Sequence, residues 1–261
     1  MHPDRTEILR VPSWADDEWF ALRTKIAALQ VRRPDAVLSH VVAARFLGWP
    51  VPPSSSIHPI DVTPSRSNVS TAGFRAHRVK ELPHTTEWGI AVAEPSEVLR
   101  QISPVFSENE LIAVIEALCG PWSGPADDDL TPGRIQEVVD NGRMFPGSRR
   151  LRKALERARS GVGSPRETWL RLELVACCLP EPVVGHAVMT PIGELHPDLA
   201  YVDAKVALEY EGDHHRSDDW QFSHDLERST AFQAAGWICI RVGKKMSTSR
   251  IVALLAAALD R

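Results

Sequence analysis

The stretch HPDLAYVDAKVALEYEGDHHR, residues 196–216, decides how the C-terminal half folds and poses the functional question. It reads as two short apolar strands, HPDLAYV and KVALEYE, joined by a tight turn at Asp203–Lys205. Successive strand side chains alternate, so Val206, Leu208 and Tyr210 share a core-facing side while Glu209 and Glu211 share the other. Folding the hairpin at residue 204 brings Asp198 beside Glu209 and Tyr210, with directly opposed Cβ atoms ~4.5–5.5 Å apart. Three carboxylates that crowd one spot raise their pKa values or recruit a cation. Hard oxygen donors with few thiols favour Mg2+ or Mn2+ over Zn2+.

The flanks extend this core. SPRETWLRLELVACC reads as a helix capped by Ser164, with Pro165 next. Glu167 falls in its first turn, where two readings stand: a favourable contact with the helix dipole, or a fourth carboxylate approaching the strand edge. After the hairpin, DDWQFSHDLERSTAFQAAG is a long helix stopped by Gly236, WICIRV is a buried strand, and TSRIVALLAAALD is a closing helix. Asp213, His214 and His215 form a polar loop, either simply solvated or presenting a histidine that touches phosphate or relays a proton. Asp225 and Arg228 lie one helical turn apart, as a surface salt bridge or with Arg228 holding a phosphate.

Towards the N-terminus, SWADDEWFALRTKIAALQ (13–30) reads as a helix capped by Ser13, and Ser39 heads a second, HVVAARFLG, with Gly48 as its stop. His40 is expected at a helix start or in the core. IHPIDV, GFRAHRV and WGIAVA have the length and alternation of strands, and Pro95 opens a helix. Residues 105–160 read as helices, with Thr131 and Ser148 as caps. The expected class is α/β, α+β overall: a small β-containing N-terminal domain at 1–104, a helical basic connecting segment at 105–160, and a C-terminal mixed sheet flanked by helices at 161–261. GVGS (161–164) is the hinge.

The chain has 261 residues, 43% hydrophobic and 25% charged, which suits a globular protein with a real core rather than a disordered one. No window approaches the ~18 consecutive apolar residues of a membrane span. MHPDRTEILR lacks a secretory apolar run, and the four cysteines form no CxxC pair. Cys177 and Cys178 are expected as buried free thiols in an apolar helix, and the chain as cytoplasmic, with no membrane partner. The net charge of −4 advertises no nucleic acid, yet 141–166 gathers Arg143, Arg149, Arg150, Arg152, Lys153, Arg157, Arg159 and Arg166 against Glu156 alone. A solvated helix face and a phosphate-tracking patch both fit that cluster.

Pro197-Asp198 followed by Glu209-Tyr210-Glu211 resembles the motif of the PD-(D/E)xK nuclease superfamily. SPRETWLRLEL, PDLAYVDAKVALEYEGDHH and DLERSTAFQAAGWICIRV follow in the order seen in Vsr-like endonuclease domains, over about residues 164–243. The resemblance implies a restriction-endonuclease-like fold and a DNA endonuclease that uses Mg2+ or Mn2+. It makes Asp198 and Glu209 metal ligands and Glu167 the acidic residue of the leading helix. Glu211 stands where many members have lysine, and reads as a further ligand or as the acceptor of the attacking water's proton. His215 is the preferred histidine of its loop. Arg149, Arg150, Arg152, Lys153 and Arg228 are the candidates for touching DNA. VLSHVVAARFLGWPVP, IHPIDVTP, GFRAHRV and WGIAVAEPSEVLRQIS are similar to AbiEi-type antitoxin-like regulators. The second expectation is therefore a non-catalytic DNA-binding regulator with a degenerate nuclease domain. A double-strand cutter calls for two active sites, hence a homodimer.

Overall fold

The computed structural model describes residues 11–55, 58–64, 72–77, 79, 81–120, 132–140, 144–211 and 219–260. They form an α/β protein of two compact units, the first running to Ala158 and the second taking Gly120 and the chain from Arg159 on. Helices α1 (Asp17–Arg32), α2 (His40–Phe46), α3 (Pro95–Ile102), α4 (Glu108–Leu118), α5 (Pro132–Asp140) and α6 (Ser148–Arg157) belong to the first unit. So do strands β1 (Ala36–Leu38), β2 (Ile60–Pro64), β3 (Phe74–Ala76), β4 (His84–Glu87) and β5 (Ile90–Ala93). The second unit holds α7 (Pro165–Ala176), β6 (Val183–Val184), β7 (Val188–Thr190), β8 (Gly193–Leu195), β9 (Leu199–Tyr201), β10 (Val206–Glu211), α8 (Asp219–Ala234), β11 (Ile238–Gly243) and α9 (Thr248–Leu259).

In the second unit the strand order is β11-β10-β9-β6, a mixed sheet, with β7-β8 a separate two-stranded ribbon. The β9–β10 hairpin is antiparallel and pairs Val206 with Tyr201, Ala207 with Ala200 and Leu208 with Leu199. Its turn is closed by Lys205 N–H donating to the Val202 carbonyl, 3.1 Å, with Lys205 at φ 51°. α8 crosses over to β11, which runs parallel to β10. One face of the sheet carries Leu199, Tyr201, Val206, Leu208, Ile240 and Val242, and it buries them against Leu170 and Leu174 of α7 and Ile251, Leu255 and Ala258 of α9. Those helical positions recur at spacings of three and four, one face of each helix. Ala207 on the other face packs with Val188 of β7 and Phe232 of α8. The alternation therefore places Glu209 and Glu211 on the α8 side, past the end of the apolar patch. Ser164 caps α7 by accepting from Glu167 N–H, with Pro165 at its start, and Gly236 ends α8 at φ 80°.

The first unit has a five-stranded sheet in the order β3-β2-β1-β5-β4. Trp19, Leu22, Ile26 and Leu29 of α1 are buried, and Trp19 stacks on Phe46 with ring centres 5.2 Å apart. The basic helical stretch is not separate: α4, α5 and α6 cluster with the N-terminal sheet. Among the described residues no helix is long and apolar enough to cross a membrane.

Several local expectations change. α1 is capped by Asp16, whose carboxylate accepts from Trp19 N–H at 2.8 Å, so the helix begins later than Ser13 allows. Ser148 is the first residue of α6 rather than its cap; Gly147, at φ 88°, holds that place. Cys177 and Cys178 are exposed, because α7 ends at Ala176 and Cys178 turns the chain at φ 62°. β1, β4, β6, β7 and β8 add strands beyond the expected set. Thr131 lies outside the described residues.

Gly147 tests the packing of the first unit. A Cβ there would meet the Ser103 carbonyl carbon at 2.4 Å and Pro104 N at 2.6 Å. The left-handed backbone adds ~1–2 kcal/mol for any other residue. Gly147→Ala is expected to destabilise the protein by more than ~2 kcal/mol, read from the urea midpoint. An unchanged midpoint would contradict this packing.

Candidate active site

The acidic site is built where β9 begins and β10 runs on. The last paired residues are Leu199 and Leu208, so Asp198 and Glu209 are the next to face each other. Pro197 has no N–H to continue the ladder. The Asp198 carboxylate accepts the backbone N–H of Tyr210, Oδ2–N 2.6 Å. This locks Asp198 against β10 in the position expected of it.

Burial pushes the Asp198 carboxyl up from 3.8 to about 7. The Tyr210 N–H pulls it down, the charges of Glu167 and Glu209 push it up, and Arg228 pulls it down again. Two of the expected carboxylates, Glu167 and Glu209, thus act on a third. The Glu211 carboxylate forms an ion pair with Arg241 of β11, 2.5 Å apart. Glu167 is buried, 8% exposed, and its Oε2 accepts the Gly163 N–H at 2.8 Å. Glu167 sits in the first turn of α7, and its charge reaches Asp198.

Arg228 of α8 was weighed as a partner of Asp225, whose side chain lies outside the described ones. Its guanidinium goes to Glu209 instead: Nε and Nη2 donate to Oε1 at 3.1 and 2.5 Å, and Nη2 also donates to the His196 carbonyl at 3.1 Å. Glu209 and Arg228 are 19 positions apart, on different elements, so no local spacing announces the pair. Asp213, His214 and His215 fall outside the described residues.

The basic cluster is divided. Arg150 donates to the carbonyls of Ser103, Pro104 and Phe106, and so closes the end of α3. Arg152 pairs with Asp140 at 3.4 Å, and Arg157 with Glu108 at 2.5 Å. Arg149 and Lys153 are exposed, with no ionic partner among the described residues. Two of the four helix candidates are therefore committed to holding the first unit together. Arg143 lies outside the described residues.

A polar cluster that sequence reading did not find occupies the first unit. Asp61, 5% exposed, bonds His77 Nε2 at 2.7 Å, and the His77 ring stacks on that of His40 with centres 3.6 Å apart. His40 Nδ1 meets Ser39 Oγ, which also accepts from Thr63. His40 is half-buried and its pKa falls to about 4, through burial first and then the neighbouring His77. Asp61 sits on β2 and His77 just after β3, and only their parallel pairing joins them.

Among the described residues no group of three or more His, Cys, Asp or Glu side chains is placed to hold a metal ion. Mg2+ seldom uses such cages; it keeps several waters and binds through one or two carboxylates together with substrate phosphates. The pair Asp198 and Glu209, both oxygen donors, fits that requirement. Comparison with protein-family models, with curated proteins and with solved structures returns no match.

The raised Asp198 carboxyl makes stability depend on pH. Between about 4 and 7 the folded chain keeps a proton that the unfolded chain has released, so this group's contribution is full below 4 and is lost as pH rises through 7. Asp198→Asn keeps an acceptor for Tyr210 and removes the charge. Its stability relative to the wild type is expected to be level near pH 4 and to gain at least ~1 kcal/mol by pH 8. A difference that does not change with pH would contradict the assignment.

Proposed function

We propose that the second unit is a nuclease domain that hydrolyses phosphodiester bonds in DNA with the help of Mg2+ or Mn2+. The observation that carries this reading is the pairing of Asp198 and Glu209 on adjoining strands, with Asp198 raised to about 7. A carboxyl pair short of positive charge is what a divalent ion relieves. Motif order supports the reading, because Pro197-Asp198 and Glu209-Tyr210-Glu211 resemble the PD-(D/E)xK pattern.

Asp198 and Glu209 would hold the ion, which when bound polarises the scissile phosphate and acidifies the attacking water. Tyr210 N–H orients Asp198 from the backbone, so the carboxylate is positioned before anything binds. Glu167 adds negative potential from α7, which favours positive charge beside Asp198. Glu211, paired with Arg241, holds β10 to β11 in this account and takes no ligand role. Arg149 and Lys153 remain available for DNA phosphates. Cutting both strands calls for two such sites, which a homodimer supplies.

A second reading, a DNA-binding regulator of antitoxin type without cleavage, is favoured by one observation: Glu209 and Glu211 are each already paired with an arginine. Incubation with duplex, mismatched and single-stranded DNA plus Mg2+ or Mn2+ separates the two. Metal-dependent cleavage is expected, with Glu209→Ala slower by more than ~100-fold and still folded. Equal activity in both proteins removes the site, and DNA binding with cleavage by neither moves the conclusion to the regulator.

A further inference from the structure

Arg228 stands one turn before Phe232 on α8, and its guanidinium carbon lies 5.8 Å from the centre of that fully buried ring. Its head joins both sides of the acidic pair. Nε and Nη2 share the single oxygen Oε1 of Glu209, and Nη2 reaches the carbonyl of His196, two residues before Asp198. The side chain keeps 26% of its surface exposed. The stem is thus anchored on the core while the charged end borders solvent.

This placement conflicts with a divalent ion on the same carboxylate. Mg2+ binds carboxylate oxygen at ~2.0–2.1 Å, and Arg228 Nη2 already lies 2.5 Å from Oε1. Two cations on one oxygen repel, and arginine cannot relieve the repulsion by losing its proton. Both arginine donors use Oε1, so an ion on the same carboxylate sets two cations against each other, and the solvent-bordering guanidinium is the one that can swing away. A planar guanidinium released beside the site has one well-matched new partner there, a phosphate, which it binds through two parallel hydrogen bonds.

Resting on the nuclease reading above, we propose that Arg228 is an exchangeable counter-cation. It neutralises Glu209 in the free protein, yields that carboxylate when a divalent ion arrives, and clamps the scissile phosphate of the bound DNA. The positive charge of the site comes from α8 rather than from β10, where Glu211 faces Arg241.

The test is Mn2+ titrated into DNA-free protein, with free Mn2+ followed by electron paramagnetic resonance, and DNA cleavage measured in parallel. Removing the competing charge in Arg228→Gln is expected to tighten Mn2+ binding about tenfold, a typical size for coupling between two sites. The same variant, at saturating Mn2+, is expected to cleave at least ~100-fold more slowly, the loss that follows removal of a charge stabiliser. Arg228→Lys keeps the charge and is expected to hold Mn2+ near wild-type affinity with cleavage partly restored. If circular dichroism shows that Arg228→Gln does not fold, Arg228→Met keeps the stem over Phe232 and carries the same expectations. Mn2+ binding by the neutral variant that is no tighter than wild type overturns the exchange. Full cleavage by that variant overturns the clamp. Glu209→Gln separates this from the parent reading: Mn2+ affinity unchanged by that substitution overturns the metal site itself, whereas affinity lost there with no gain on neutralising Arg228 overturns the Arg228 role alone.

Discussion

The antiparallel pairing of β9 with β10 is the constraint on which the second unit depends. Its register places Val206, Leu208, Leu199 and Tyr201 in one core, and a slip of one residue would turn that face to the other side of the sheet. The apolar face therefore enforces the position of the acidic one. Glu209 cannot move away from Asp198 without taking Leu208 out of the core. The ladder ends at Leu199 and Leu208, and beyond it Tyr210 N–H fastens the Asp198 carboxylate. Hydrophobic burial in this way holds two carboxyl groups together that would otherwise separate.

The charge problem created by that pairing is met in two ways. Asp198 keeps a proton up to about pH 7, and Arg228 covers Glu209 from the neighbouring helix. Neither device ends the excess of negative charge, because Glu167 also bears on Asp198. The unit thus carries a net negative cluster at the open end of its hairpin. Glu211 lies on the same face of β10 but one step further, where Arg241 of β11 meets it. Two residues of strand separate a carboxylate built into the cluster from one that joins two strands.

Much of this unit was legible in its sequence, because the deciding patterns are local. Alternation in KVALEYE, the Ser164-Pro165 helix start and the Gly236 stop each act within a few residues, and each is where it was expected. Asp198 facing Glu209 followed from the turn position alone. What stayed hidden depends on distant partners. β1 is three residues long and becomes a strand only by pairing with β2 and β5, and the stacked His40–His77 pair needs β2 beside β3. Arg228 looked like half of a helical salt bridge, since its true partner comes from another element. Cys178 ends α7 with a positive φ although no glycine marks the stop, so the exposure of the two thiols had no local signal. The basic helix misled for a related reason: Arg150 finds three backbone carbonyls at the end of α3, contacts that a charge count does not register.

The central claim is that Asp198 and Glu209 together form a cation site. Crystals of the protein grown with Mn2+, with data collected at the manganese absorption edge, test it most directly. The account predicts an anomalous peak within ~2.0–2.3 Å of a carboxylate oxygen of each residue, with the Arg228 guanidinium displaced from Glu209. A Mn2+ ion bound elsewhere, or none at the hairpin while Arg228 still holds Glu209, would contradict it.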